Sequence, residues 1–306
     1  MAPKKSDGTD KQSFNIAAAK SGYFARTARP VYALVFLLPF IVLYEILVLA
    51  VNPRLLSEPA GNIRGAVVSF VWVQNFLHYL GMDTKNAWLF APVVVILTLL
   101  ILQLVAKQKW KIRPADFLTM SAECVVLAVP LIVLSLVLNR VPNKPSAANN
   151  FYEITACKTC PLPLQQSETV SDNGTSYNKL CRPTVMMDLL TGIGAGIYEE
   201  LIFRLFLISL SMIFFETVLG IHRTKAVIIS VIISSVLFSL HHHFIFLDGQ
   251  FAKKEIFTMT RFAFRTIAGI FFAVLYAVRG FGIAAGTHAF YDIIATLLNA
   301  WLFEQC

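Results

Sequence analysis

The chain places Glu199 and Glu200 side by side, with Arg204 four residues on, in a largely apolar stretch from Leu189 to Phe215. A charged side chain at the centre of a bilayer costs roughly 2.5–3.5 kcal/mol on insertion scales. Three ionisable groups within six residues therefore need partners, water or a chemical task. On a helix, Glu200 and Arg204 share a face at the spacing of an intrahelical ion pair. Glu199 points about 100° away, since an α-helix winds 3.6 residues per turn. It is left to project into a cavity, where a carboxylate can serve as a general base. The alternative is a buried ion pair beside one protonated glutamate that bridges helices.

Two more groups of this kind follow. Phe238-Ser239-Leu240-His241-His242-His243 closes one apolar run, and His288-Ala289-Phe290-Tyr291-Asp292 lies within another. Three consecutive histidines on a helix point in three directions, so at most one or two can face a single site. His242 shares a face with Phe238, whereas His241 and His243 read as polar end residues near the membrane interface. His288 and Asp292 are four apart on one face. That suits a carboxylate orienting an imidazole, or two metal ligands; a hydrogen bond that merely satisfies both is the plainer option. Cys124 is far from these groups in sequence, and Ser239 is the one serine within the motifs. Nucleophilic catalysis is therefore unsupported. What remains is a water activated by carboxylate and imidazole, with or without a metal. If zinc is present, His242 and His288 are its expected ligands. His-Glu-x-x-His, the helix signature of soluble zinc proteases, is absent.

Such residues need membrane helices to position them, and the composition supplies these. Of 306 residues, 57% are hydrophobic and 14% charged, where a soluble domain carries about 25% charged residues. Mean hydropathy is +0.66. The sequence predicts an all-α fold: a polytopic transmembrane helical bundle of 7–8 spans with a catalytic cavity among its C-terminal helices. Spans are expected at Val31–Val51, Ala87–Ala106, Ala122–Asn139, Met186–Leu219, Ala226–Leu247, Thr260–Val278 and Gly282–Phe303. Met186–Leu219 is long enough to require a strong tilt or to run past the bilayer. Ala66–Leu80 is short and broken by Gln74, Asn75 and His78, so it reads as an interfacial helix or a short eighth span. With seven spans the basic run Lys107–Arg113 is cytoplasmic, as the positive-inside rule prefers, and the Arg140–Val185 loop is external; with eight, the loop reverses.

Four regions are expected: a polar basic tail, 1–30; an N-terminal transmembrane region, 31–140; a hydrophilic loop, 141–185; and a membrane domain, 186–303. The first apolar run is too long for a signal-peptide core and reads as an uncleaved span with a cytoplasmic tail. Cys157, Cys160 and Cys181 in the loop leave open a disulfide with one spare thiol, unpaired thiols, or a metal site short of the four ligands a structural zinc wants. Asn173-Gly174-Thr175 fits a glycosylation sequon. The net charge of +8 bears on topology and anionic headgroups. No alternation of basic and stacking aromatic residues points to a nucleic acid. The expected location is the plasma (inner) membrane, with many passes.

Glu199-Glu200-x-x-x-Arg204, Phe238-x-x-x-His242 and His288-x-x-x-Asp292 resemble, in order, the three motifs of the CPBP (Abi) family. That family contains the type II CAAX prenyl proteases and bacteriocin-processing enzymes. The resemblance covers about Met186 to Phe303. It implies an all-helical intramembrane peptidase, glutamate-dependent or metal-dependent, acting on CAAX-type prenylated or other membrane-associated peptides. By position, Glu199 resembles the base that activates water and His242 its partner, with His288 and Asp292 stabilising the oxyanion. Glu200 and Arg204 resemble the supporting ion pair. The free face of Glu199 is then expected to meet both His242 and His288. Eukaryotic prenyl proteases carry Asn where Asp292 stands. An amide can donate to an oxyanion and an ionised carboxylate cannot, so Asp292 is protonated, orients His288, or belongs to a metal site.

Three readings compete. One is a membrane-embedded endopeptidase. Another is a non-catalytic immunity or scaffold protein that keeps the polar cluster for structure. The third is a transporter using the carboxylates as a relay, for which two related halves would be expected and none is seen.

Overall fold

The computed structural model describes residues 22–51, 67–139, 185–247, 250–253 and 257–303. Residues 140–184 lie outside these, and with them the loop cysteines and the sequon. Among the described residues, seven helices are long and apolar enough to cross a membrane. They are α2 (Pro30–Val51), α4 (Thr84–Val105), α5 (Ala115–Asn139), α6 (Val185–Val218), α7 (Arg223–His243), α8 (Met259–Arg279) and α9 (Phe281–Phe303). Two shorter helices complete the set, α1 (Tyr23–Thr27) and α3 (Val68–Tyr79). The all-α polytopic bundle expected from hydropathy is what the chain forms.

Helix ends fix the count of spans. The Val31 amide donates to Gln103 Oε1 at 3.1 Å, and Arg26 bonds Asp116 at 3.0 Å. The start of α2, the end of α4 and the start of α5 therefore share one face. Between them α3, with 12 residues, rises only about 18 Å, well short of about 30 Å of hydrocarbon. Among the described residues seven helices can therefore cross, and Val68–Tyr79 is a short helix rather than an eighth span. Asp83 caps α4 by accepting from the Asn86 amide at 3.1 Å, which is why the chain turns back into the membrane there.

Two boundaries differ from expectation. Helix α5 begins at Ala115 instead of Ala122, because Asp116 and Glu123 find cationic partners on other elements. The span expected to reach Leu247 stops at His243. Phe244–Leu247 (β1) pairs antiparallel with Gln250–Lys253 (β2), Phe244 opposite Lys253. The aromatic and branched run Phe-Ile-Phe-Leu suits a strand.

The C-terminal helices carry the site. Helix α6 packs closely on α9, because a Cβ at Gly196 would stand 2.6 Å from the Ala289 amide nitrogen and one at Gly192 would stand 2.6 Å from Asp292 Cβ. Small residues allow this approach where lipid provides no hydrophobic drive between helices.

Candidate active site

Helix α6 is not α-helical throughout. Ala195–Glu199 and Leu201–Ile208 are wound as π-helix, flanking Glu200. Their i→i+5 bonds widen the turn, a distortion common at functional sites. Glu199 and Glu200, 4% and 0% exposed, leave this segment towards different helices.

Glu200 faces its own helix and α9. Its Oε2 lies 3.2 Å from Arg204 Nε, and its Oε1 lies 2.9 Å from His288 Nδ1. The expected Glu200–Arg204 pair is thus present, close enough for charge attraction but not aligned as a hydrogen bond. The Arg204 guanidinium sits over the Phe238 ring, 4.4 Å from its centroid, a cation–π contact that compensates a buried cation. His288 Nε2 is 3.5 Å from Asp292 Oδ2, so both ring nitrogens face carboxylates. Phe272 of α8 stacks on the same imidazole at 4.5 Å and 15°.

Glu199 faces α7. Its Oε1 is 3.4 Å from His241 Nε2 and its Oε2 is 3.9 Å from His242 Nε2. His288, expected on the free face of Glu199, lies within electrostatic reach of it but hydrogen-bonds Glu200. One expectation is corrected: His241, read as an interfacial end residue, is 5% exposed, with Phe203 at 5.0 Å and Trp72 at 5.7 Å between ring centroids. His243 is buried as well, against Phe257 at 5.0 Å. Adjacent histidines 100° apart can both reach Glu199 because its carboxylate lies in the sector between them.

The donor set fits a metal. The Nδ1 atoms of His241 and His242 each lie 2.9 Å from the Phe238 carbonyl. A carbonyl can only accept, so each Nδ1 carries a proton, and in the neutral ring each Nε2 presents a lone pair to Glu199. This backbone anchoring of the remote nitrogen is typical of metal-ligating histidines. Among the described residues, Glu199 Oε2 and His241 Nε2 are buried without a hydrogen-bond partner. The three ligand atoms lie within 4.8 Å of one another. Zinc bonds of about 2.0–2.1 Å place tetrahedral ligands roughly 3.3 Å apart, close to the shorter of the observed separations. The fitting set is Glu199, His241 and His242; the expected pairing of His242 with His288 is replaced, because Glu200 occupies His288.

Sequence reasoning passed over His241, Trp72 and Phe272. A signal existed only for His241, as a member of a histidine run; the two aromatics are indistinguishable by sequence from their apolar neighbours.

Residues 182–294 match the family described as type II CAAX prenyl endopeptidase Rce1-like. No curated protein and no solved structure matches the chain. The matched segment begins just before α6 and ends within α9, and it contains all three motifs. The chain is therefore a multi-pass integral membrane protein whose residues 182–294 are similar to the Rce1-like family of type II CAAX prenyl endopeptidases.

Proposed function

We propose that the protein hydrolyses a peptide bond of a membrane-associated substrate, using a water held between Glu199 and the Nε2 atoms of His241 and His242. The observation that carries this reading is the pair of buried polar atoms without a hydrogen-bond partner, Glu199 Oε2 and His241 Nε2, the latter 3.4 Å from Oε1 of the same carboxylate. Both are acceptors in the tautomer set by Phe238, so a water can donate to each and thereby be oriented. Glu199 removes a proton as the water oxygen attacks the scissile carbonyl. The resulting oxyanion is met by the Nε2–H of His288, which makes no hydrogen bond to Asp292 at 3.5 Å and can turn to it while Glu200 holds Nδ1 and Phe272 stacks on the ring. Glu199 then returns the proton to the leaving amine. Glu200 and Arg204 hold the ring and neutralise each other.

If a zinc ion is bound, Glu199, His241 and His242 hold it and it supplies Lewis acidity and a more acidic water. The family match supports prenylated CAAX peptides as the substrate class.

The test is cleavage of a fluorogenic peptide series, prenylated and unprenylated, by purified protein in vesicles. Glu199→Gln is expected to lower turnover by about 10²–10⁴-fold, the usual contribution of a general base. Full turnover in that variant ends the general-base role. Elemental analysis of the same samples decides the metal: one zinc per chain, lost in the His241→Ala, His242→Ala double variant, supports the metal-dependent form, and a metal-free active protein excludes it.

A further inference from the structure

A second polar cluster lies on the side of α6 away from the histidines. Tyr198, immediately before Glu199, turns towards α2 and α3 and is fully buried, as is Tyr44 of α2. Their rings are 5.6 Å apart, and Phe70 of α3 packs edge-on against both, at 5.6 Å from Tyr44 and 4.9 Å from Tyr198. The Tyr44 ring occupies the space that a Cβ at Gly194 would take. Glu45 points at Tyr198 from the same turn of α2. Among the described residues, Tyr44 Oη, Tyr198 Oη and Glu45 Oε1 are buried without an aligned hydrogen bond, although Tyr198 and Glu45 lie within reach of each other and Tyr44 within reach of the Val67 backbone. Gln74 Nε2, one turn beyond Phe70 on the same face of α3, is a fourth such atom.

Buried polar groups are almost always hydrogen-bonded, and within hydrocarbon the demand is stricter still. Two hydroxyls, a carboxylate and an amide include both donors and acceptors. A buried water typically makes about three hydrogen bonds, so the set suits water rather than an ion of either sign. We propose that Tyr44, Glu45 and Tyr198 form a buried water-binding site, and that through it Glu45 acts as a positioning residue for the Tyr198–Glu199 segment. The water site stands on geometry alone; the role in turnover rests on the peptidase reading. Both residues of α2 lie outside the matched segment 182–294, so the site would tie the family domain to a helix that the family does not define.

Short-pulse X-ray hydroxyl-radical footprinting tests it on the full chain, because bound water is radiolysed in place and marks the side chains beside it. Tyr32 is the control: it is as buried as Tyr44, but its hydroxyl donates to Asp116 at 2.9 Å. Tyr44 and Tyr198 should be modified several-fold faster than Tyr32, and Glu45→Leu should slow modification of Tyr198. Equal rates for all three tyrosines overturn the water site. Where Glu45→Leu does not fold, the wild-type rates alone decide. For the positioning role, Glu45→Leu should lower kcat with KM unchanged, and Glu45→Gln, which still bonds water, should restore most of it; unaltered kcat in both variants overturns it. Footprinting does not require cleavage. Fast labelling in a chain inert towards peptides therefore retains the water site and removes only the peptidase reading.

Discussion

The protein holds two clusters of charge in its membrane region, and they differ in how completely their atoms are bonded. At the end of α8, Arg279 donates to Glu123 at 2.6 and 2.7 Å, to the Phe24 carbonyl at 3.0 Å and to Thr27 Oγ1 at 3.0 Å. Tyr23 donates to the same carboxylate at 2.7 Å, and its burial and that carboxylate push the hydroxyl pKa up. Beside it Arg26 grips Asp116 through two bonds, at 3.1 and 3.0 Å. These contacts strap α1 across α5 and α8. In the cluster on α6, by contrast, all three Arg204 nitrogens, Glu199 Oε2 and His241 Nε2 lack aligned partners. A saturated network rigidifies; an unsaturated one in low dielectric is costly unless something else binds there. On the function proposed above, the first cluster is structural and the second is kept for substrate, water or metal.

Removing Arg279 should give the largest effect on stability. Arg279→Ala leaves the half-buried Glu123 with the Tyr23 hydroxyl and removes the bonds to Phe24 and Thr27, at a cost of about 1.5–3 kcal/mol. Thermal unfolding in detergent should show a large drop in Tm, while turnover per folded molecule stays near that of the wild type. A stable Arg279→Ala protein would erase the contrast. Gly196→Ala should act on both properties. Its methyl group would meet the Ala289 backbone, and overpacking of this kind typically costs about 1–3 kcal/mol; because it parts α6 from α9, the Glu200–His288 contact loosens and turnover falls with Tm. His241→Ala should fall mainly on activity, by about 10–100-fold as for lost ligands and their partners, with little change in Tm. His243→Ala, one residue along and packed on Phe257, is the control that should leave turnover near wild type.

Much of this architecture is legible in local pattern. Span positions follow from hydropathy, and the Glu200–Arg204 pair follows from four-residue spacing. The three ordered motifs identify the domain later matched at residues 182–294. What escapes is set by pairing between distant spans. Glu123 and Arg279 are 156 residues apart, and no periodicity links them. Whether His288 binds Glu199 or Glu200 depends on the π-winding of α6 and on the close α6–α9 contact, neither of which spacing predicts. His241 looks interfacial from its place at a helix end, yet Phe203 and Trp72 enclose it. Glu45 did carry a signal, an acid within an apolar span, but without Tyr198 beside it the chain offers no hint of its use.

The central claim is that the unsaturated cluster is reactive and not structural, and Glu199→Gln with paired readouts tests it most directly. Replacing an ionised carboxylate that lacks a full set of partners should leave Tm unchanged or raise it, while turnover on a membrane-bound peptide falls by about 10²–10⁴-fold. A lowered Tm with turnover retained would contradict the account and place Glu199 with Arg279 among the groups that hold the fold.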